Sequence, residues 1–245
     1  MRIVALCMAA FVAGSAAASE PNPDDLVVFS SSARVEVDAT GNVVDVQEDP
    51  TLPAAIGQAL DTNVRGWKFV PPIQDGVPVG GVTYVRLGAC AAPIMGGGYR
   101  LAFHYNGNGP LRVNFGAPLY PMEALAAQVD GDFEVTYRVE PDGNAVVESI
   151  EGSGPQARIF KSALRKWIER TTHKPELIGS HAVATRLTVP VEFRIGRSRS
   201  EQKNSRDASS CQVALGKAAD QDRTVALDSP FRRLAVAENH REAAQ

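Results

Sequence analysis

The sequence predicts an α+β fold made of two small β-β-α-β units, each an antiparallel sheet with one helix packed on a face. Three observations predict it. A hairpin pattern is spelled twice, as ARVEVDATGNVVDV at residues 33–46 and as YRVEPDGNAVVESI at residues 137–150. Each copy is followed by apolar residues at helical spacing. Each then closes on an alternating run of strand character.

Ahead of the first hairpin lies a segment of a different kind. MRIVALCMAAFVAGSAAASE carries a basic Arg2, an apolar run from Ile3, then small residues ending at Ala16-Ala17-Ala18. That is the layout of a secretory signal, and residues 1–19 are expected to be cleaved on export. The run from Ile3 to Ala18 is shorter than the ~20 residues of a spanning helix. An uncleaved inner-membrane anchor is the alternative. Cys7 follows Leu6 rather than a small residue, which argues against a lipid-modified cysteine. The chain of 245 residues is 44% hydrophobic and 22% charged, with net charge -3. No global basic field draws it to nucleic acid.

In the first unit, the Asp-Ala-Thr-Gly-Asn break from Asp38 to Asn42 reads as the hairpin turn. Ile56, Leu60, Val64 and Trp67 then make one apolar helical stripe, with Asp49 or Thr51 as candidate cap and Pro53 in the first turn. The closing strand is expected within the run from Gly76, where Val82, Tyr84 and Leu87 mark it. In the second unit, Pro141 to Asn144 is the turn, and Phe160, Ala163, Leu164, Trp167 and Ile168 form the stripe. Ser153 or Gly154 lies near its cap. Its closing strand alternates through Leu187, Val189, Val191 and Phe193. Both tryptophans fall on the apolar stripes and are expected to anchor helix to sheet.

Between the units, Tyr99–Phe103 and Leu111–Phe115 look like short strands around an Asn106-Gly107-Asn108-Gly109 turn. Pro121 to Gln128 reads as a short helix. Beyond Gly196 the composition turns polar, as in a surface linker or disordered stretch, with one further strand expected at Thr224–Leu227. With Cys7 removed, Cys90 and Cys211 remain as an even pair suited to an oxidising compartment. A disulfide between them would contribute about 4–5 kcal/mol by chain entropy.

The ordered set from LYPMEALAAQVDGDF through IFKSALRKW to TVPVEFRIG resembles the C-terminal domain of the TonB energy-transducer family. The matching elements are Tyr120-Pro121 before a short helix, Gly131 before a strand, Asp142-Gly143 at the hairpin, Ala163 and Trp167 on the helix, and Val189-Pro190-Val191-Glu192-Phe193 at the close. Residues 33–88 resemble a degenerate copy that keeps GWKFVPPIQDGVPV but lacks the Tyr-Pro lead-in. Together with the residue patterns above, the resemblance divides the chain into a signal peptide (1–19), a degenerate repeat (27–92), a connecting β segment (93–118), a TonB-C-like domain (119–196), and a polar linker with C-terminal extension (197–245).

For function, the resemblance implies partner capture by strand addition, with an outer-membrane TonB-dependent receptor or another envelope protein as partner. The strand border it points to comprises Arg186, Leu187, Thr188, Val189, Pro190, Val191, Glu192, Phe193 and Arg194, with Tyr120 and Pro121 as a lead-in segment. Pro190 lacks a main-chain donor and so suits a border strand. Strand exchange between two copies, giving a homodimer, is left open. The family's membrane anchor bears a polar or ionisable residue, and residues 1–18 hold no His or acid. A periplasmic relative is therefore expected, with a genuine energy transducer and a structural envelope scaffold as alternatives.

Catalysis and metal chemistry are not expected, and neither is a cofactor. His104, His173, His181 and His240 are scattered, and Ser200 to Lys203 matches Ser-x-x-Lys only within the polar linker. Glu134, Glu140 and Glu148 are expected to solvate the outer sheet face. Arg158, Lys161, Arg165, Lys166 and Arg170 form a basic strip on the second helix, read as a solvated face or as a docking patch for an acidic partner.

Overall fold

The computed structural model describes residues 27–93, 99–114, 116–152, 154, 157–196 and 224–234. The expected signal segment, the polar linker, Ser153, His240 and Cys211 lie outside the described residues. The first elements are β1 (Val27–Val37), β2 (Val43–Glu48), α1 (Ala54–Arg65), β3 (Phe69–Val70), β4 (Ile73–Gln74), β5 (Val77–Pro78) and β6 (Gly81–Pro93). Next come β7 (Tyr99–Gly109), β8 (Leu111–Arg112), α2 (Met122–Ala126), β9 (Gly131–Val139), β10 (Ala145–Glu151) and α3 (Ala157–Glu169). The last are β11 (His173–Lys174), β12 (Leu177–Ile178), β13 (His181–Ala182), β14 (Thr185–Phe193), β15 (Val225–Ala226) and β16 (Arg232–Arg233). The fold is α+β and rich in sheet.

Strand alternation builds the first sheet. Ala33, Val35 and Val37 are buried in the first core, while Arg34 on the other face reaches Glu36 and Asp45, each at 3.5 Å. From α1, Leu60 and Val64 enter the same core, each worth ~1.5–3 kcal/mol of burial. β1 pairs antiparallel with β2 on one side and with β6 on the other, from Val37 opposite Gly81 to Val27 opposite Ala91. The outer border of β6 is also taken. β7 covers it from Tyr84 to Pro93, and β12 covers Gly81 and Val82.

The second sheet runs β10-β9-β14-β15. α3 lays Phe160, Leu164 and Ile168 into a core with Phe133, Val135, Tyr137, Val191 and Phe193. Phe160 and Phe193 meet with ring centroids 4.7 Å apart.

The two hairpin turns are built alike. Asp38 accepts hydrogen bonds from the Thr40 and Asn42 main chain, and Asp142 accepts one from Asn144. Bonds from Thr40 and Asn42 hold the Asp38 carboxyl down at about 2. Gly41 and Gly143 adopt φ of +83° and +86°. A Cβ at Gly41 would sit 2.0 Å from the Phe69 carbonyl oxygen, and one at Gly143 2.3 Å from that of His173. Only glycine permits both the turn and that approach.

Three local expectations change. Asp49 caps no helix: its carboxylate binds Thr51 through both amide and hydroxyl, and α1 starts after Pro53 without a side-chain cap. The nearest donors captured it before the helix began. The run 106–109 is no hairpin turn, because β6 offers a border as long as β7. The strand continues through Gly109, with φ of +125° at Gly107 and +143° at Gly109. The next strand, β8, pairs with β11 instead. The helix expected over Pro121–Gln128 is shorter, spanning Met122–Ala126.

The segment 224–234 crosses both sheets. β15 pairs with β14, Phe231 is 1% exposed inside the first core, and β16 pairs with β3. The Arg233 guanidinium lies over Trp67 at 4.3 Å and over Tyr105 at 4.8 Å. Beneath it runs a buried polar network. Glu176, 0% exposed, accepts from the hydroxyls of Thr83 (2.6 Å), Ser229 (2.7 Å) and Thr185 (3.0 Å). The Asn108 amide donates to Thr83 and Ser229 and to the Phe231 carbonyl, and Tyr105 donates to the Asn108 oxygen. Residues from β6, β7, β14, the β11–β12 loop and the tail thus meet around one carboxylate.

Candidate functional site

The border of β14 is the surface that the sequence singles out. Leu187, Val189, Val191 and Phe193 are buried and face the core, so Arg186, Thr188, Pro190 and Glu192 occupy the other face. The main-chain directions also alternate. The Arg186 N–H donates to Asp228 Oδ1 at 2.6 Å, and its carbonyl accepts from Leu227 N–H at 2.8 Å, so both groups point away from β9. By the same alternation, the main-chain groups of Thr188, Pro190 and Glu192 point outward. Pro190 therefore stands where its missing donor faces away from the sheet.

This border is partly covered. β15 sets Ala226 opposite Leu187 and Val225 opposite Thr188, and the pairing stops there. Among the described residues no strand lies beside Val189–Phe193. Outward groups remaining on that half are the Pro190 carbonyl and the N–H and C=O of Glu192. Arg194 follows the strand, its guanidinium held by Asp132 and 3.6 Å from Glu192.

Charged side chains tie the outer face together. Glu148 lies 3.3 Å from both Arg138 and Arg186, so it bridges β10, β9 and β14. Tyr120 meets this border from its core side, at Phe193. Its hydroxyl donates to the Val129 carbonyl at 2.6 Å, and its ring meets Phe160 and Phe193 edge-on at 5.7 and 5.4 Å. Pro121 caps α2 beside it.

Residues 116–195 match the family model described as Gram-negative bacterial TonB protein C-terminal. The chain carries a TonB C-terminal-like domain. That family is tied in general to TonB-dependent transport, to the periplasm, and to envelope proteins such as outer-membrane receptors. No curated protein matches the chain. The TonB-C-like domain holds β9, β10, α3 and β14, and so contains the whole border described above. Among the described residues, no helix is long and apolar enough to cross a membrane.

Other candidate residues fall elsewhere. Of the basic strip, Arg158, Lys166 and Arg170 line a groove with Asn114, Gly116, Tyr120 and Glu123, where Trp167 donates to the Gly116 carbonyl at 2.6 Å, whereas Lys161 and Arg165 lie outside that lining. His104 and His181 are exposed, and no cluster of three metal-binding side chains occurs among the described residues. Cys90 is buried on β6, and its expected partner Cys211 lies outside the described residues. Sequence reasoning missed Glu176, Asn108 and Ser229, because each gains its meaning only from partners remote in the chain. A buried glutamate within KPELIGS reads as one more solvated loop residue.

His173 is 6% exposed, and burial, reinforced by the Arg112 cation, pulls its imidazole down to about 4. An unfolded histidine titrates near 6.5. Between those values the unfolded chain binds more protons, so acidification favours unfolding. The neutral ring's contribution is complete above pH ~6.5 and is lost as pH falls towards 4, an effect of about 3 kcal/mol. Urea midpoints from neutral to mildly acid pH should fall more steeply for the wild type than for His173→Leu; parallel curves would contradict this.

Proposed function

We propose that the TonB-C-like domain takes an extended segment of an outer-membrane receptor or other envelope partner as an added strand along β14. The observation that carries this reading is the half Val189–Phe193, beside which no strand lies among the described residues, next to a half on which β15 already lies as a strand. A sheet border with unpaired N–H and C=O groups is a template for another backbone. Three outward groups at ~0.5–1.5 kcal/mol each give only modest affinity. The encounter is therefore transient unless the partner also displaces β15 and gains Arg186 and Thr188.

We also infer that residues 27–92 and 119–196 hold two copies of one unit, supported by the matching Gly41 and Gly143 turns. In the first copy β7 and β12 lie along the border of β6, which leaves partner capture to the second. The reading includes export to the periplasm, loss of residues 1–19, and a Cys90–Cys211 disulfide. It assigns a binding role rather than catalysis.

The decisive experiment places a photo-crosslinking residue at Thr188 or Glu192 in cells. The same product is then taken for N-terminal sequencing and non-reducing peptide mapping. Glu192→Pro removes the outward donor at an exposed position already in strand conformation. It should leave the fold intact and weaken partner capture roughly tenfold.

The tail on β14 favours one other reading, an envelope scaffold whose border is closed by its own chain. In that case Glu192→Pro leaves partner recovery unchanged, and crosslinks from Thr188 return only to residues 224–228.

A further inference from the structure

A second site lies between the sheets, away from the β14 border. A cavity of about 190 Å³ is lined by Ser31 of β1, Tyr84 and Arg86 of β6, Arg112 of β8, Tyr137 of β9 and His173 of β11, among others. Its wall draws on both sheets and on Thr224 of the tail, so the cavity exists only in the assembled molecule.

Its polar atoms are poorly satisfied. Arg86 Nη2 donates to the carbonyls of Thr224 (2.9 Å) and Asn108 (3.3 Å), but Nε has no partner. Among the described residues no carboxylate pairs with Arg86. Ser31 Oγ and both ring nitrogens of His173 are buried without partners as well. A buried polar group left unsatisfied costs ~1–3 kcal/mol, and several around one void point to something that fills it. The tilted Tyr137 ring, 5.7 Å from that of His173, holds the imidazole in place.

Charge narrows the choice. Arg86 brings a positive charge that no carboxylate meets among the described residues. The acid among the described residues of the lining is Asp49, whose carboxylate is taken up by Thr51. The unpartnered Nε–H of Arg86 suits one carboxylate oxygen. Arginine and hydroxyl donors match the planar geometry of a carboxylate. Tyr84, Leu111 and Pro110 offer apolar surface to the carbon atoms attached to it. The volume is below the ~300–1,000 Å³ of drug-sized sites, so the ligand is small.

We propose that this cavity binds a small monocarboxylate, held by Arg86, Ser31 and His173 in the cleft between the two sheets. The carboxylate comes from a free organic acid or from the end of a peptide chain. Neutral His173 gives one ring N–H to a carboxylate oxygen. Its other nitrogen is left to accept from a hydroxyl or amide of the same ligand.

Nitrogen-15 NMR of the full chain tests this through the Arg86 Nε–H and the His173 ring nitrogens. Propionate should shift both signals saturably, whereas chloride at equal ionic strength should not. Arg86→Gln should weaken binding about tenfold, as loss of a charge-assisted pair predicts. If that variant does not fold, Ser31→Ala, a smaller change, should still weaken it about threefold. A tripeptide with a free terminus that binds where its amidated form does not assigns the carboxylate to a chain end. Binding of propionate alone assigns it to a free acid. Signals that stay put, or that move equally with chloride or in both variants, overturn the proposal and leave the cavity to water.

Discussion

Phe231→Ala is expected to lower stability by about 3–5 kcal/mol, the usual cost of emptying a buried phenylalanine site. Its ring is 1% exposed, packed among Val35, Leu60, Val85 and Leu87 and close against Gly81. β15 and β16 each span only two residues, and the ring is the tail's largest fully buried side chain among the described residues. Losing it should also free the border of β14. Hydrogen exchange should then show lost protection at Leu227 and Leu234, whose amides bond to the Arg186 and Lys68 carbonyls at 2.8 Å. Partner capture along β14 should rise in the same variant. A stability loss below about 1 kcal/mol, with both amides still protected, would show that the ring does not hold the tail.

Glu176→Ala carries a comparable cost for a different reason. Removing the carboxylate strands the hydroxyls of Thr83, Thr185 and Ser229 in a buried site and leaves a void, together about 3–5 kcal/mol. Glu176→Gln should be tolerated within about 1 kcal/mol, because one oxygen still accepts from Thr83 and Ser229 while the amide donates to a rotated Thr185. The two variants separate the worth of the acceptor from the worth of the charge. Burial raises the Glu176 carboxyl above its ordinary 4.5, despite the hydroxyl bonds that oppose this. Its contribution is therefore complete below pH 4.5 and is lost as pH climbs through the folded value. Glutamine has no such loss. Denaturation across pH should show the Gln variant gaining on the wild type as pH rises; a gap that stays flat would refute a raised carboxyl. This slope opposes that of His173, so the wild-type profile is the difference of two trends.

Local pattern and long-range pairing differed in how far they could be read. Leu60, Val64, Phe160, Leu164 and Val191 were legible as core because alternation and helical spacing are properties of neighbouring residues. Val225–Ala226 was legible as a strand, but its destination on β14 was not. The course of β7 was misread because Asn106–Gly109 carries strong turn chemistry, and the competing claim came from β6, some twenty residues upstream. Glycines that permit a turn also permit a bulged strand, and only the partner decides. Arg86, Ser31 and His173 are unremarkable in the sequence, and their meeting in one cavity is a product of the tertiary fold. Pro190 marks the outward side of β14 by its chemistry alone, whereas the tail over the first half of that strand comes from beyond a long polar stretch.

The insertion of Phe231 among the earliest strands bears on how the molecule comes to be made. The first core is complete only when Phe231, distant in the chain, has been delivered to it. During synthesis β1 and β6 are made long before that side chain is. Until residue 231 arrives, the early strands keep an apolar hollow open to other chains, a window in which they are prone to associate.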